Sequence, residues 1–183
     1  MTRLVAFCGR AGAGKSTAAD ALVAAGWRRV KFASILKDML RAFYRSAGLD
    51  EAEIERRIEG DLKEEPDPIL CGASPRRAMV TLGTEWGRHL ISPELWVRAW
   101  SARVERELAR GASVVCDDLR FPNECDAVRA LGGLVVRIEG RAKDVAAHES
   151  EALDFEPDVT ISNTGTEDDL RSAARLIGSP EDA

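Results

Sequence analysis

The sequence predicts an α/β protein, a three-layer sandwich in which helices cover both faces of a parallel five-stranded sheet. Short apolar runs alternate with helical patterns along the chain, as in folds built from strand–helix–strand units. The runs are continuously apolar, which is typical of strands buried on both faces. Polar or glycine residues follow several of these runs, and such sheets bind ligands at the carboxyl ends of their strands.

The predicted strands are short. The first, Leu4–Cys8, stops at Gly9. The others are predicted over residues 29–32, 113–116, 134–138 and 159–162. Four polar features stand at or just past strand ends: the glycine-rich stretch after Cys8, the pair Asp117-Asp118, Arg137 and Asn163. We therefore expect these features to converge on one edge of the sheet.

Helices are predicted from apolar periodicity and from capping residues at their starts. An alanine-rich segment, 15–25, forms the first helix and ends at Gly26. Asp50 with Glu53, and Thr166 with Asp169, have the spacing of capping pairs. The remaining helices are predicted over 35–47, 50–58, 92–111 and 123–131, and from Ser74 and Thr166 onward. Residues 60–73 are expected to form a polar loop.

The composition narrows the class of protein. Of 183 residues, 45% are hydrophobic and 31% charged, which is ordinary for a globular chain. The net charge of −5 disfavours coating nucleic acid, so no stable nucleic-acid binding is expected. No apolar run approaches the ~20 residues that span a membrane, and no signal peptide precedes the first strand. Four cysteines without CxxC or zinc spacing fit a reducing cytoplasm, where we expect the protein to act.

The segment GRAGAGKS, residues 9–16, matches the phosphate-binding pattern GxxxxGK[ST]. Its glycines permit backbone conformations that other residues resist, so several N–H groups can turn toward phosphate oxygens at a helix N-terminus. Lys15 would reach the β- and γ-phosphates, and Ser16 would ligate Mg²⁺. The pattern therefore predicts ATP and Mg²⁺ as cofactors.

An acidic pair, Asp117 and Asp118, follows the third predicted strand, where a metal-linked carboxylate lies in such folds. One of the two could hold Mg²⁺ through water or orient an acceptor, and the pair would also suit a solvated turn. We take Asp117 as the metal candidate and Asp118 as a catalytic candidate, without deciding which lies nearer the metal. Arg120, shortly after them, could face the same site.

The segment between the second and third strands, 33–111, is much longer than the dozen or so residues that a simple crossover needs. This surplus predicts an acceptor-binding helical insertion within a single domain, whose core is 1–32 and 112–177. Arg76 and Arg77 lie in the first turn of a predicted helix, an unfavourable end for cations, so their placement suggests a role. Arg88 lies in the same insertion.

A charged segment, 139–157, predicts a lid that excludes water from the reaction. Arg137, Arg141 and Lys143 in and beside it would neutralise charge on the transferred group. His89 and His148 are expected to have surface or structural roles, because phosphoryl transfer needs no strong base. Trp86, Trp96 and Trp100 fit a core better than a stacking platform for bases.

Four sequence blocks together carry a resemblance to a known family: GRAGAGKSTAAD, SPRRAMVTLGTEWGRHLISPELWV, VVCDDLRFPNECDAVRALGG and HESE. From about residue 4 to residue 170, the chain resembles the deoxynucleoside monophosphate kinases of bacteriophages, which are P-loop kinases of the adenylate and thymidylate kinase type. The resemblance implies a P-loop NTPase fold. It also implies transfer of the ATP γ-phosphoryl group to a deoxynucleoside monophosphate, with Mg²⁺, in the cytoplasm of a host cell.

The resemblance assigns the donor side of the site. It implies that the ATP phosphates and the metal are bound by Gly12, Gly14, Lys15, Ser16 and Thr17, in a loop that also includes Gly9, Arg10, Ala11 and Ala13. After the last strand, the loop that packs on adenine in related kinases corresponds to Asn163, Thr164 and Gly165.

The resemblance also assigns the acceptor side. Arg76 and Arg88 would hold the acceptor phosphate, and Asp118 with Arg120 would serve the acceptor and the transferring group. The lid would be formed by Arg137, Arg141 and the HESE segment, which contains Glu151. Further substrate-binding candidates in the second block are Val80, Glu85 and Trp96.

Two departures from the family pattern leave base selectivity open. Val80 stands where the family commonly has a glutamine facing the acceptor base, and Ser34 where it often has an aspartate. A kinase for another small metabolite, such as dephospho-coenzyme A, and a nucleotide-switched binding protein without an acceptor are the alternatives. An apolar helix face between Leu95 and Leu108 could serve a homodimer as well as a core.

Overall fold

The computed structural model describes residues 3–140 and 154–178. The chain divides into two compact units. The core unit consists of Met1–Phe32 and Trp100–Ala183, and the helical unit consists of Ala33–Ala99. The division begins where the predicted insertion begins, but it falls at Trp100, well before residue 111.

The core unit contains five parallel strands in the order β2-β3-β1-β4-β5. Their bounds are β1 Leu4–Cys8, β2 Arg28–Arg29, β3 Val114–Cys116, β4 Leu134–Gly140 and β5 Val159–Asn163. The central strands β1 and β3 are buried along their whole length, as their apolar runs predicted. The sheet confirms the predicted fold class.

Helices cover both faces of this sheet. Successive side chains of a strand point to opposite faces. Val5 and Phe7 pack in one cluster with residues of α1 (Lys15–Ala24) and α7 (Glu167–Gly178). On the opposite face, Leu4 packs near Gly133 and Val128, the latter on α6 (Pro122–Ala130). The buried free thiols Cys8, Cys116 and Cys125 complete this apolar interior, as expected for the first two.

The packing of Trp100 explains why the second segment of the core unit begins within α5 (Leu95–Ala109). Its side chain is fully buried and stacks on Phe32 with ring centroids 4.2 Å apart. Its indole N–H donates to the carbonyl oxygen of Val30 at 2.9 Å. The second half of α5 therefore packs with the core unit.

Two strands differ from their predicted bounds. The strand expected over 29–32 is shorter and ends at Arg29. The backbone N–H of Phe32 donates to the Asp118 carboxylate at 2.9 Å and so does not pair with β3. β4 is longer than expected: Glu139 and Gly140 pair with Ser162 and Asn163 of β5. The first residues of the predicted lid therefore belong to the sheet, and residues 141–153 lie outside the described residues.

The helical unit contains α2 (Ser34–Ser46), α3 (Glu51–Ile58), a 3-10 helix (Pro68–Leu70), α4 (Pro75–Thr81), a π-helix (Leu82–Ile91) and the start of α5. Its core is formed by Leu40, Tyr44, Ile54, Ile58 and Met79. The 3-10 helix corrects the predicted loop over 60–73. It forms because Asp67 accepts a hydrogen bond from the N–H of Ile69 at 2.8 Å, which caps a proline-led turn.

The capping residues chosen from the sequence cap their helices. Asp50 accepts from the N–H of Glu53 at 2.8 Å, and Ser74 accepts from the N–H of Arg77 at 3.2 Å. At the start of α7, Asp169 accepts from the N–H of Thr166 at 2.7 Å. Within residues 3–140 and 154–178, no helix combines the length and apolar character needed to cross a membrane.

Candidate active site

The segment 9–16 forms a loop between β1 and α1. Gly9, Gly12 and Gly14 have φ angles of 139°, 78° and 106°, in the region that side chains disfavour. A Cβ at Gly9 would lie 2.5 Å from the carbonyl oxygen of Ile138, so this glycine also permits close approach of β4. The N–H of Ala13 donates to the carbonyl of Arg10 at 3.2 Å, which closes the turn before α1.

Lys15 folds back over this loop. Its Nζ donates to the carbonyl oxygens of Gly9 at 2.8 Å and Arg10 at 2.9 Å. Lys15 is also the first residue of α1, whose first turn contains no acidic residue. A helix N-terminus and an ammonium group both attract anions, so this end of α1 is suited to phosphate. Ser16, in the same turn, is exposed, and Thr17 is half-buried.

Asn163 connects the end of β5 to the phosphate-binding loop. It is buried, and its Nδ2 donates to the carbonyl oxygen of Ala13 at 2.9 Å. Its Oδ1 is buried and has no hydrogen-bond partner within the described residues. The adjoining Thr164 and Gly165 are exposed. Their expected contact with adenine stays a prediction.

Asp117 is a buried carboxylate at the end of β3, with its side chain 1% exposed. Lys31 Nζ lies 3.1 Å and Arg29 Nε 3.9 Å from its Oδ2. Neither of its oxygens has a hydrogen-bond partner within the described part of the chain. Asp118 differs, since its Oδ1 accepts from the N–H of Phe32 and from Cys116 Sγ, the latter at 3.1 Å.

These surroundings bear on the expected magnesium site. Mg²⁺ keeps several waters and is bound through one or two carboxylates plus substrate phosphates. Over 3–140 and 154–178, no group of three His, Cys, Asp or Glu side chains could hold a metal. Asp117, whose oxygens accept no hydrogen bond within the described residues, and the exposed Ser16 carry oxygen ligands of the kind that such a site uses, and their binding of Mg²⁺ stays a prediction.

Sequence reasoning overlooked the cations beside Asp117. Lys31 and Arg29 lie at the end of β2, which pairs in parallel with β3. Neighbouring parallel strands end at the same edge, so basic residues after β2 and acidic residues after β3 are the signal that would have found this pair. Without the strand order, the two segments could not be matched.

Arg137 lies in β4, within the strand predicted over 134–138, and its expected role with the lid stays a prediction. It pairs in register with Cys8, and its guanidinium donates to the carbonyl oxygen of Phe155 at 2.6 Å. Burial raises the pKa of the Cys8 thiol, and the charge and hydrogen bond of Arg137 act in the opposite direction. Arg120 is exposed, and its backbone N–H donates to Glu124 at 2.8 Å.

The acceptor candidates of the helical unit occupy α4 and the π-helix. Arg76 is exposed, and its Nε donates to Glu64 at 2.9 Å. Arg88 is half-buried, while Val80 and Glu85 are exposed. Trp96 is buried beneath the π-helix: its indole N–H donates to the carbonyl of Gly83 at 2.8 Å, and a Cβ at Gly87 would meet its ring at 2.4 Å. Arg141, Lys143, His148 and Glu151 lie outside the described residues.

Known proteins are similar to this chain in sequence and in fold. A protein of Acanthamoeba polyphaga mimivirus, named provisionally as a deoxynucleotide monophosphate kinase, is 32% identical over 160 residues, which cover 81% of this chain and 80% of the relative. No family model matches the chain. The relative is a mimivirus protein, so the resemblance to the bacteriophage branch stays a prediction.

Solved structures of kinases share the fold at low sequence identity. Dephospho-CoA kinase from Campylobacter jejuni superposes with a TM-score of 0.52 at 15% identity, covering 97% of this chain and 96% of that chain. A sugar kinase from Janibacter sp. superposes with a TM-score of 0.50 at 15% identity, covering 96% and 94%. At this identity, the two superpositions establish a common fold and do not identify a substrate.

The glycine-rich loop, the lysine folded over it and the parallel sheet that carries them are those of a P-loop kinase, a phosphotransferase acting on a nucleotide or another small molecule. The extent and identity of the mimivirus match place the chain more narrowly within this group. The chain belongs to the deoxynucleotide monophosphate kinase family.

Proposed function

We propose that the protein transfers the γ-phosphoryl group of ATP to a deoxynucleoside monophosphate and releases ADP and the deoxynucleoside diphosphate. The bond from the γ-phosphorus to its bridging oxygen breaks, and a phosphate oxygen of the acceptor forms the new bond. The observation that carries this proposal is the phosphate-binding loop with Lys15 folded across it, 2.8 Å from the carbonyl of Gly9. The name of the mimivirus relative supports the choice of acceptor.

The donor half of the reaction follows from the loop. Its left-handed glycines allow the backbone N–H groups to turn toward the β- and γ-phosphates of ATP, and the N-terminus of α1 adds a favourable dipole. Lys15 would exchange its two carbonyl contacts for phosphate oxygens. Ser16 and Asp117 would hold Mg²⁺, which when bound neutralises charge on the phosphates.

The acceptor half is assigned to the helical unit. Arg76 is exposed in the first turn of α4, where it pairs with Glu64, a carboxylate that is itself exposed. Guanidinium groups bind phosphate oxygens in a bidentate manner, which positions the acceptor for in-line transfer. Arg88 is the second arginine of this assignment. Phosphoryl transfer depends on positioning and charge neutralisation more than on acid–base chemistry, so arginines suffice.

A panel assay tests the activity. The protein is incubated with ATP, Mg²⁺ and each ribo- and deoxynucleoside monophosphate in turn, with dephospho-coenzyme A as a separate acceptor, and ADP release is followed. We expect stimulation by at least one deoxynucleoside monophosphate and loss of that rate in Lys15→Ala. Stimulation by dephospho-coenzyme A alone, or by no acceptor, would rule out the proposed function.

The acceptor assignment is tested separately. Arg76→Ala and Arg88→Ala should raise the KM for the nucleoside monophosphate about tenfold or more and leave the KM for ATP nearly unchanged, since charged hydrogen bonds contribute about 1.5–3 kcal/mol. Arg45→Ala is the matched control, because Arg45 is an exposed arginine of the same unit, paired with Glu51. Unchanged acceptor KM values in both variants would refute the assignment.

A further inference from the structure

Two lysines of the helical unit share one carboxylate. Lys37, on α2, donates from Nζ to Glu59 Oε1 at 2.7 Å. Lys63, in the loop after α3, lies 3.9 Å from the other oxygen of Glu59. The two lysine side chains are only 15% and 18% exposed, unlike most lysines, which extend into water.

Arg76 is hydrogen-bonded to the loop that contains Lys63. Its backbone N–H donates to the carbonyl oxygen of Lys63 at 2.9 Å, and its Nε donates to Glu64 Oε1 at 2.9 Å. The first turn of α4 and the Lys63 loop are therefore held together by main-chain and side-chain contacts. Three cations from three separate segments, Lys37, Lys63 and Arg76, are gathered around two carboxylates.

The free energy of this arrangement favours an additional anion. Burial lowers the pKa of Lys63, and the charges of Lys37 and Arg76 lower it further, against the smaller effects of Glu59 and Glu64. Arg41 lies 3.7 Å from Glu59 but is engaged with Glu55 and Asp38, so it adds little free charge. Holding a partly desolvated ammonium beside two other cations costs folding free energy, which a bound anion would offset.

The two carboxylates are well placed to give way. The side chains of Glu59 and Glu64 are 48% and 65% exposed, so they can turn into water when another anion arrives, whereas the side chains of Lys37 and Lys63 are mostly buried. The Arg76–Glu64 pair is exposed on both sides, and such surface ion pairs contribute little to stability and are easily exchanged. A phosphomonoester carries up to two negative charges and three oxygens, which matches three convergent cations.

We propose that Lys37, Lys63 and Arg76 form a phosphomonoester subsite, in which the phosphate of the acceptor nucleotide displaces Glu64 from Arg76 and Glu59 from the lysines. This inference rests on the proposed function for the identity of its ligand. It adds two lysines to the acceptor assignment and gives Glu59 and Glu64 the role of holding the cations in place until the acceptor binds.

Isothermal titration with each of the four deoxynucleoside monophosphates, the four matching nucleosides and inorganic phosphate tests the subsite. Lys63→Met and Lys37→Met should weaken binding of the preferred monophosphate about tenfold or more and change nucleoside binding little. Glu64→Gln should tighten monophosphate binding severalfold, because Arg76 is then free of its carboxylate. Arg45→Met serves as the control, and a thermal melt confirms that each variant is folded.

The outcomes separate this inference from the proposed function. Monophosphate binding unchanged in both lysine variants, weakened in Glu64→Gln, or absent from the wild-type protein would overturn the subsite. If inorganic phosphate is bound and lost on Lys63→Met while no nucleoside monophosphate is bound better than its nucleoside, the subsite recognises free phosphate and the acceptor assignment fails. If monophosphates bind as expected but none of them stimulates ADP release, the proposed transferase activity is wrong and the subsite is still supported.

Discussion

The side-chain amide of Asn163 donates a hydrogen bond to the main-chain carbonyl of Ala13 at 2.9 Å. This contact joins the end of β5 to the residue that precedes the N-cap of α1, Gly14. Because both groups are buried, the bond is shielded from competition by water. The conformation of the phosphate-binding loop therefore depends on a residue from the opposite end of the chain.

Asn163→Ala should weaken the loop. Loss of this hydrogen bond is expected to cost about 1 kcal/mol in the free energy of unfolding and to raise the KM for ATP severalfold, with a smaller change in the acceptor KM. Urea denaturation and steady-state kinetics measure both effects. Asn163→Asp should be worse than alanine at neutral pH, because a carboxylate cannot donate, and should recover at acidic pH as the carboxyl gains a proton. Equal behaviour of the two variants at every pH would contradict the role of the bond.

Gly14→Ala should be more damaging than its backbone angle alone explains. A Cβ there would lie 2.7 Å from both Asn163 Nδ2 and Leu170 Cδ2, in addition to the strain of a φ of 106°. Gly26 is the matched control, since its φ is 92° but nothing lies within 4 Å of an added Cβ. We expect Gly26→Ala to cost about 1–2 kcal/mol and Gly14→Ala about 1–3 kcal/mol more, measured by denaturant unfolding. Similar costs for the two variants would mean that Asn163 and Leu170 move aside for the added methyl group, and would contradict this expectation.

Asp67 should make the free energy of unfolding depend on pH in the acidic range. Burial alone would raise its pKa, but the N–H of Ile69, the hydroxyl of Tyr44 and the guanidinium of Arg57 outweigh burial and lower it below the usual 3.8. A lowered carboxyl pKa stabilises the folded state above the unfolded pKa, and this contribution is lost as pH falls through the folded pKa. Asp67→Asn should therefore cost about 3 kcal/mol at pH 7, because the charged hydrogen bonds from Tyr44 and Arg57 are lost.

Unfolding in urea at a series of pH values checks this expectation. The difference between wild type and Asp67→Asn should be constant from pH 7 to about pH 5 and should shrink steadily toward about pH 2. Tyr44→Phe provides a second measurement, since it removes one donor to the same carboxylate without removing the charge. A difference that stays constant down to pH 2 would mean that Asp67 does not titrate as its contacts require.

Lys63→Met should leave the protein as stable as the wild type or more so. The lowered pKa of Lys63 means that the unfolded chain binds its proton more tightly, so at neutral pH the charged side chain opposes folding. Wild-type stability should rise as pH climbs through the folded pKa toward the unfolded value near 10.5, and the advantage of methionine should fade over that range. Calorimetry at pH 7 and at higher pH measures this. A lower Tm for Lys63→Met at pH 7 would contradict the account of Lys63 as a residue kept for binding.

Several features of the fold could be predicted because they depend only on residues that are close together in the sequence. The apolar run Leu4–Cys8 is a strand, and Asp50, Ser74 and Thr166 start helices where their side chains can bond a nearby N–H. The phosphate-binding loop is equally local, since its glycines and Lys15 act within one turn of chain. Such features depend on the conformational preferences of neighbours in sequence.

Other features escaped prediction because they depend on contacts across the chain. β2 is cut short by Asp118, which binds Phe32 from the end of β3, and the second half of α5 belongs to the core unit because Trp100 packs on Phe32. The 3-10 helix at Pro68 forms around a carboxylate that Tyr44 and Arg57 also hold. Periodicity carries no signal for any of these partners.

The sequence by itself determined the α/β class, the parallel sheet, the starts of α3, α4 and α7 and a phosphate-binding loop ending in Lys15, because each follows from residue types at short spacing. Only the tertiary structure decided that Asn163 supports that loop, that Lys31 faces Asp117, and that Lys37, Lys63 and Arg76 meet around two carboxylates. These relationships join residues that are distant in the chain. Their strength comes from burial and charge in a shared space, which exists only once the strands and helices have packed.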